Sequence, residues 1–375
     1  MATINRSNES LVIGHFRNIK DRLFGIKRSK NEPYVATDGG CLGGFDTLPV
    51  EIQFLIMTFL SPQDLCRLGG TSRYWRALIR DPSLWKYLLL RDMPLWSSID
   101  HLSMPDMASL ERSLSESSES ESRDFMADYL KVCPSCRSLW HQSRPAYGAV
   151  TSFLKSMVVT AAEPRFAMFG PGLEKLEVSL VTTMLNSPHI LPVTGVTQRQ
   201  INGIGSGISF MFNDQQKFNI LTLYSTNRSE RERARLENVD VQSRLFIQRE
   251  DEDSGRPTFD LAPNVQEVCL SVDGFIFVTN AERGKVSDEA LEKEFAQIEA
   301  MLEFVRSSSS RPLLVLSCVA REGPEWPRVP CLKVAQRLRL SVLQNPWMVQ
   351  DTVAETLSGL RDGILWLLRN SGIRL

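Results

Sequence analysis

The chain has 375 residues, 42% apolar and 23% charged, an ordinary globular composition with material for two or three compact units. Its 43 Lys and Arg nearly cancel 44 Asp and Glu, so no net field points to a nucleic-acid or membrane partner. Seven scattered Cys fit reduced thiols in the cytosol or nucleus better than a disulfide framework. No secretory leader or bilayer-length apolar run is read.

Residues 1–43 read as a flexible N-terminal region with one amphipathic element. Val12, Phe16, Ile19, Leu23 and Ile26 recur at helical spacing among Arg17, Lys20, Arg22 and Lys27, and such a short helix is marginal alone. The Gly-rich DGGCLGG (38–44) breaks the chain.

From 44 to 92 the pattern is densely helical. Pro49 suits the first turn of a helix. Beyond it Ile52, Leu55, Ile56 and Phe59 form one apolar stripe, and Val50, Phe54 and Met57 form another on a different side. A surface helix needs only one such stripe, so two imply burial between two partners. A second helix starts at the Ser61 cap with Pro62 and Asp64 behind it. A third follows Asp81 and Pro82, with Leu84, Trp85, Leu88 and Leu89.

The Leu48–Pro49 pair, the acid two residues on, Ser-Pro-Gln-Asp-Leu (61–65), Trp75 after Arg73 and Tyr74, and Asp-Pro-Ser-Leu-Trp (81–85) stand in the order and spacing of an F-box, which this stretch resembles. The resemblance implies docking on the S-phase-kinase-associated adaptor, which bridges to a cullin scaffold. It assigns that docking to Leu48, Pro49, Ile52, Ile56, Leu60, Asp64 and Leu65.

Residues 93–163 read as a helical linker. Within it SLSESSESESRD (113–124) is too polar to bury a core and is expected to be a disordered insert. Cys133 and Cys136 form a lone C-x-x-C with His141 nearby, but no second pair completes a zinc site. The four His stand in no nucleophile–base arrangement. No catalytic residue, metal or cofactor is therefore assigned.

From 164 to 375 strands alternate with helices. Strands are expected at 165–170, 208–212, 217–225, 272–280, 312–319 and 347–350. The second and third read as a hairpin about Asn213–Gln216. Helices are expected at 175–185, 229–238, 288–305, 331–340 and 353–368, with an acidic loop at 250–255. PLLVLSCV (312–319) suits a strand buried on both faces of a parallel sheet. The fold class is thus multidomain α and α/β: an all-helical F-box, a helical linker, and a mostly parallel sheet with helices on both faces.

This order is similar to that of small GTPases, yet the nucleotide chemistry is missing. A phosphate loop needs GxxxxGK[ST] so that amides, Lys and a magnesium-binding hydroxyl face the phosphates. Gly170 fits the first Gly, but Lys175, Leu176 and Glu177 occupy the decisive positions. Tyr224–Asn227 stand where Asp-x-x-Gly is expected, and Ser317–Ala320 where guanine would be read. Neither hydrolysis nor tight binding of GTP is expected.

An F-box followed by an inactive small-GTPase-like domain resembles one family of F-box proteins, also through 144–154, 163–174, 198–207 and 345–357. The resemblance implies a cytoplasmic or nuclear substrate adaptor for ubiquitination, whose targets are D-type cyclins and a telomere-repeat-binding factor. Strands 208–212 and 347–350 are the expected open sheet edges. Small side chains at helical spacing, together with the resemblance, place target binding on Cys331, Val334, Ala335 and Leu338. Packing of these residues on the protein's own sheet is the competing expectation, a GTP-operated switch is the competing function, and homodimerisation stays open.

Overall fold

The computed structural model describes residues 48–104, 110, 124–137, 163–197, 206–223, 245–249, 258–285, 287–305 and 310–372. The amphipathic element at 12–26, the Gly-rich break, most of the Ser-rich insert, His141, Tyr224–Asn227, the helix expected at 229–238 and the acidic loop lie outside them. The chain divides into two compact units. One takes the described residues through Leu90 with those in 112–126, and the other those in 91–111 and 127–375.

The first unit holds α1 (Val50–Phe59), α2 (Pro62–Thr71), α3 (Arg73–Ile79) and the start of α4 (Pro82–Asp92). α3 was not expected as a separate helix. Ser72 makes it one by accepting a hydrogen bond from the Trp75 amide at 3.2 Å, which restarts the helix after α2 ends. The interior is built by Phe54, Met57, Leu65, Trp75, Leu78, Trp85 and Leu88, all buried. Trp85 buries its indole N–H without penalty because that group donates to the Ile79 carbonyl at 2.6 Å.

Among the described residues the second unit is built on an eight-stranded sheet in the order β1-β10-β9-β8-β2-β5-β4-β3. Its strands are β1 (Ser98–Asp100), β2 (Arg165–Phe169), β3 (Val193–Thr197), β4 (Ser206–Phe212), β5 (Gln216–Thr222), β8 (Gly274–Asn280), β9 (Leu313–Val319) and β10 (Trp347–Val353). β6 (Phe246–Arg249) and β7 (Thr258–Leu261) pair separately. The β10, β9, β8, β2 and β5 neighbours are parallel. β8 and β9 are buried along their whole length, which explains their unbroken apolar sequence.

Helices cover both faces. Side chains alternate across the strands, so Ile276, Val278, Leu314 and Leu316 share a core with α7 (Leu180–Asn186) and α11 (Leu360–Asn370). Thr279, one residue out of phase on β8, faces the other way and donates to Glu294 of α9 (Asp288–Val305) at 2.7 Å. On that side Cys269 of α8 (Pro263–Ser271) lies 3.4 Å from Met301. α5 (Phe125–Val132), α6 (Gly172–Lys175) and α10 (Cys331–Arg337) complete the set.

Several expected boundaries move. The helix expected at 175–185 is two pieces, because the chain extends after Lys175 and Ser179 caps α7. The helix expected at 331–340 stops at Arg337, and Arg339 turns left-handed at φ 45°. The one expected at 353–368 begins at Leu360, since β10 runs on to Val353 and Gly359 turns the chain at φ 79°. A Cβ at Gly359 would lie 2.0 Å from the Asp351 carbonyl oxygen, so the turn tolerates only glycine.

Both expected sheet edges are interior strands. β4 is covered by β3, and β10 by β1, which pairs antiparallel with Ile99 opposite Val349. β1 lies in the stretch expected to be only a linker. There it is anchored by Arg137, whose guanidinium meets Asp100 at 2.6 Å.

Candidate functional sites

On α1 the two apolar stripes separate except at Val50 and Ile56, which are both half-buried. Phe54 and Met57 are buried with Gln53 and Thr58, while Ile52, Leu55 and Phe59 are exposed at 41%, 44% and 81%. Gln53 fixes the entry to the helix: its amide donates to the Leu48 carbonyl at 3.1 Å and its oxygen accepts from Tyr74 at 2.6 Å. Leu48, Ile56 and Leu60 are partly exposed and Pro49 is exposed. An apolar face of this kind gains free energy only when a partner covers it.

Two residues expected on that face do other work. Leu65 is fully buried inside its own unit and presents nothing to a partner, because it faces inward from α2 where that helix packs. Asp64 is exposed, but its carboxylate accepts from the Ser61 hydroxyl at 2.6 Å and pairs with Arg67 at 3.0 Å. The Ser61 hydrogen bond and Arg67 hold it below the usual carboxylate range. It first braces the Ser61 cap of α2.

At the carboxyl ends of the parallel strands, where open α/β sheets bind ligands, the loop after β2 is closed on itself. The Leu173 amide donates to the Gly170 carbonyl, and the Glu174 and Lys175 amides to that of Pro171, at 2.9–3.2 Å. Those are the amides a phosphate loop would turn toward its ligand. Gly170 and Gly172 press against β8, where a Cβ on either would come within 3 Å of Val278. Leu173 and Glu174 are buried. Arg321 spans the strand ends, 3.4 Å from both Glu177 and Glu355. At the guanine-reading position Ser317, Cys318, Val319 and Ala320 are all buried.

The four residues expected to bind targets do not form a surface. Cys331, Val334, Ala335 and Leu338 are between 0% and 5% exposed. α10 packs against β10, β1 and the 3-10 turn Met93–Leu95. The Cys331 thiol reaches the Trp96 carbonyl at 2.8 Å, and burial pushes that thiol well above its ordinary range. Small residues do mark a close approach here, but the approaching chain is the protein's own. Sequence reasoning missed this cover because Ser98–Asp100 pairs with a strand about 250 residues away.

The F-box-like family matches residues 45–91. The two units therefore define an F-box protein whose larger unit is a mostly parallel α/β sheet. Over 322 residues the chain is 50% identical to F-box only protein 4 of Bos taurus and 49% identical to those of Mus musculus and Homo sapiens, covering 86% of this chain and 82% of each relative. The chain belongs to the F-box only protein 4 family. Among solved structures, the Arl6 BBS3 small GTPase of Trypanosoma brucei with a bound nucleotide analogue matches with a TM-score of 0.33 at 14% identity, covering 56% of this chain and 98% of that one.

Proposed function

We propose that this chain is a non-catalytic, substrate-recruiting subunit of a cullin-RING ubiquitin ligase, acting in the cytoplasm or nucleus. Its first unit docks the S-phase-kinase-associated adaptor and through it the cullin scaffold, while the second holds the target. The observation that carries this reading is the exposed stripe Ile52, Leu55 and Phe59 on the first helix of an F-box-like unit. Covering it with an adaptor would offset the cost of leaving large apolar side chains in water. The subunit then works by raising the local concentration of a target beside the ubiquitin-charged enzyme. By family resemblance the targets are D-type cyclins and a telomere-repeat-binding factor.

A nucleotide-operated switch is the second reading, suggested by the sheet. Against it stand the self-bonded amides of the Gly170–Lys175 loop and the acid at Glu177. Two measurements test the pair. Purified adaptor should be retained by the wild-type chain and lost with Leu48→Ala/Pro49→Ala, the second unit remaining folded. Titration with a fluorescent GTP analogue should show no saturable binding. Adaptor binding by neither protein removes the proposal, and micromolar nucleotide binding revives the switch.

A further inference from the structure

Residues 48–90 of the first unit carry five cations against three acids, and the surplus is not spread evenly. At about 100° per residue, Arg73, Arg76 and Arg80 fall within about 60° of one another on α3 and the residue that closes it, a stripe about 10 Å long. All three are exposed, as is Ala77 beside them. Trp75, Leu78 and Ile79 take the opposite side of the helix and are buried.

The acids of the unit do not neutralise this stripe. Asp64 is taken by Arg67 at 3.0 Å. Asp81, next to Arg80, accepts from the Ser83 amide at 2.7 Å in the first turn of α4. Glu51 stands half-buried on α1. Among the described residues none of the three guanidinia pairs with a carboxylate, and Arg76 Nε donates to the Gly69 carbonyl at 3.4 Å. Like charges three and four residues apart repel one another, and acid brought by a partner relieves that repulsion.

The stripe borders the apolar face of α1. The Tyr74 hydroxyl donates to Gln53 Oε1 at 2.6 Å. Tyr74 lies about 100° round α3 from Arg73, and Gln53 about 100° round α1 from Ile52. Each thus stands at the margin between the buried and the exposed side of its own helix. Contact between two such margins sets the exposed faces next to each other. Ile52, Leu55 and Phe59 lie on one side, the guanidinia on the other, and Tyr74, 47% exposed, between them. A partner that covers the first face reaches the second.

We infer that Arg73, Arg76 and Arg80 form an electrostatic rim to the docking face of α1 and meet a carboxylate-bearing stretch of the adaptor, which speeds and orients docking. This rests on the adaptor reading above. The occupant is an acidic protein surface and not a small anion, because three guanidinia spread over about 10 Å exceed the span of one phosphate. The two faces divide the work. Apolar burial acts at contact and holds the complex, whereas charge acts across about 8 Å at physiological salt and draws the partners together.

Stopped-flow association of purified adaptor with the full chain, from about 20 to about 500 mM sodium chloride, tests this. Wild-type association should slow by about tenfold or more over that range. At low salt Arg73→Gln/Arg76→Gln/Arg80→Gln should associate about as slowly as the wild type does at high salt, with its dissociation rate unchanged. Arg73→Glu/Arg76→Glu/Arg80→Glu should be slower still, an order that loss of arginine packing would not give. The positions are exposed and Gln is as good a helix former as Arg, so the Gln variant keeps its fold. Phe59→Ala, by contrast, should dissociate faster and keep the wild-type salt dependence. Equal association by wild type and the Gln variant at low salt, or slowing that salt does not alter, overturns the inference while the adaptor reading stands. Failure of the wild-type chain to bind adaptor at any salt concentration overturns the adaptor reading itself.

Discussion

Asp351 is held in an arrangement that costs free energy near neutral pH. It lies in β10 beside Ser317 of β9, and its carboxylate lies 3.1 Å from Arg328, whose guanidinium also donates to the Ser317 carbonyl at 2.7 Å. Among these groups Arg328 Nε is buried without a hydrogen-bond partner. Burial raises the Asp351 carboxyl to about 6, against the opposing pull of Arg328. A carboxyl raised in the folded state contributes stability that is fully present below its unfolded value and is lost as pH rises through the folded one. The window therefore runs from about pH 4 to 6. In Asp351→Asn the free energy of unfolding, relative to wild type, should rise by about 2 kcal/mol between pH 4 and 7. Urea unfolding of both proteins across that range measures it. A difference that does not change with pH would mean the carboxyl titrates normally.

At the scale of elements, α1 shows how far a pattern can be read. Two apolar stripes on one short helix announced two partners, and the structure turns Phe54 inward at 1% exposure and Phe59 outward at 81%. The two phenylalanines should therefore separate folding from docking. Phe54→Ala should cost about 3–5 kcal/mol of stability, the usual range for a large core residue. Phe59→Ala should leave thermal unfolding unchanged and weaken adaptor binding about tenfold or more, as expected where a buried interface aromatic is truncated. Calorimetric titration of the adaptor into each variant decides this. Equal binding by Phe59→Ala and wild type would show that this stripe is not where the adaptor sits.

The same scale explains what the sequence left out. β8 and β9 were legible because a strand buried on both faces writes a continuous apolar run. β3 was not, because Val-Thr-Gly-Val-Thr is short, holds a glycine and pairs across a bulge at Val193–Gly195. The break between α6 and α7 was hidden by an apolar, helix-compatible sequence. Ser179 sets it by giving the Thr182 amide a side-chain acceptor. The two apolar stripes of α1 were legible in local periodicity, whereas the docking residues rested on the F-box resemblance. The residues expected to bind targets were misjudged because composition records close approach and not the identity of what approaches.

For the whole molecule, the consequence is that residues 91–104 and 127–137 are structural parts of the second unit. Tyr129 donates to Asp92 at 2.7 Å and stacks edge-on to Trp96, Arg137 clamps Asp100, and Ile99 is 1% exposed between them. These contacts hold β1 on β10 and bring the Trp96 carbonyl to the Cys331 thiol. A fragment spanning 164–375 keeps every other strand of the sheet but uncovers β10 and one side of α10. Its Cys331 should be alkylated by iodoacetamide within the time that leaves Cys331 untouched in a 91–375 fragment. Cys318, fully buried within β9, should stay protected in both. Peptide mass spectrometry reads each thiol separately. Protection of Cys331 in the shorter fragment would mean that the cover comes from elsewhere. Simultaneous exposure of Cys318 would mean instead that the sheet does not hold together without its first strand, making residues 91–137 a condition of folding rather than a cover.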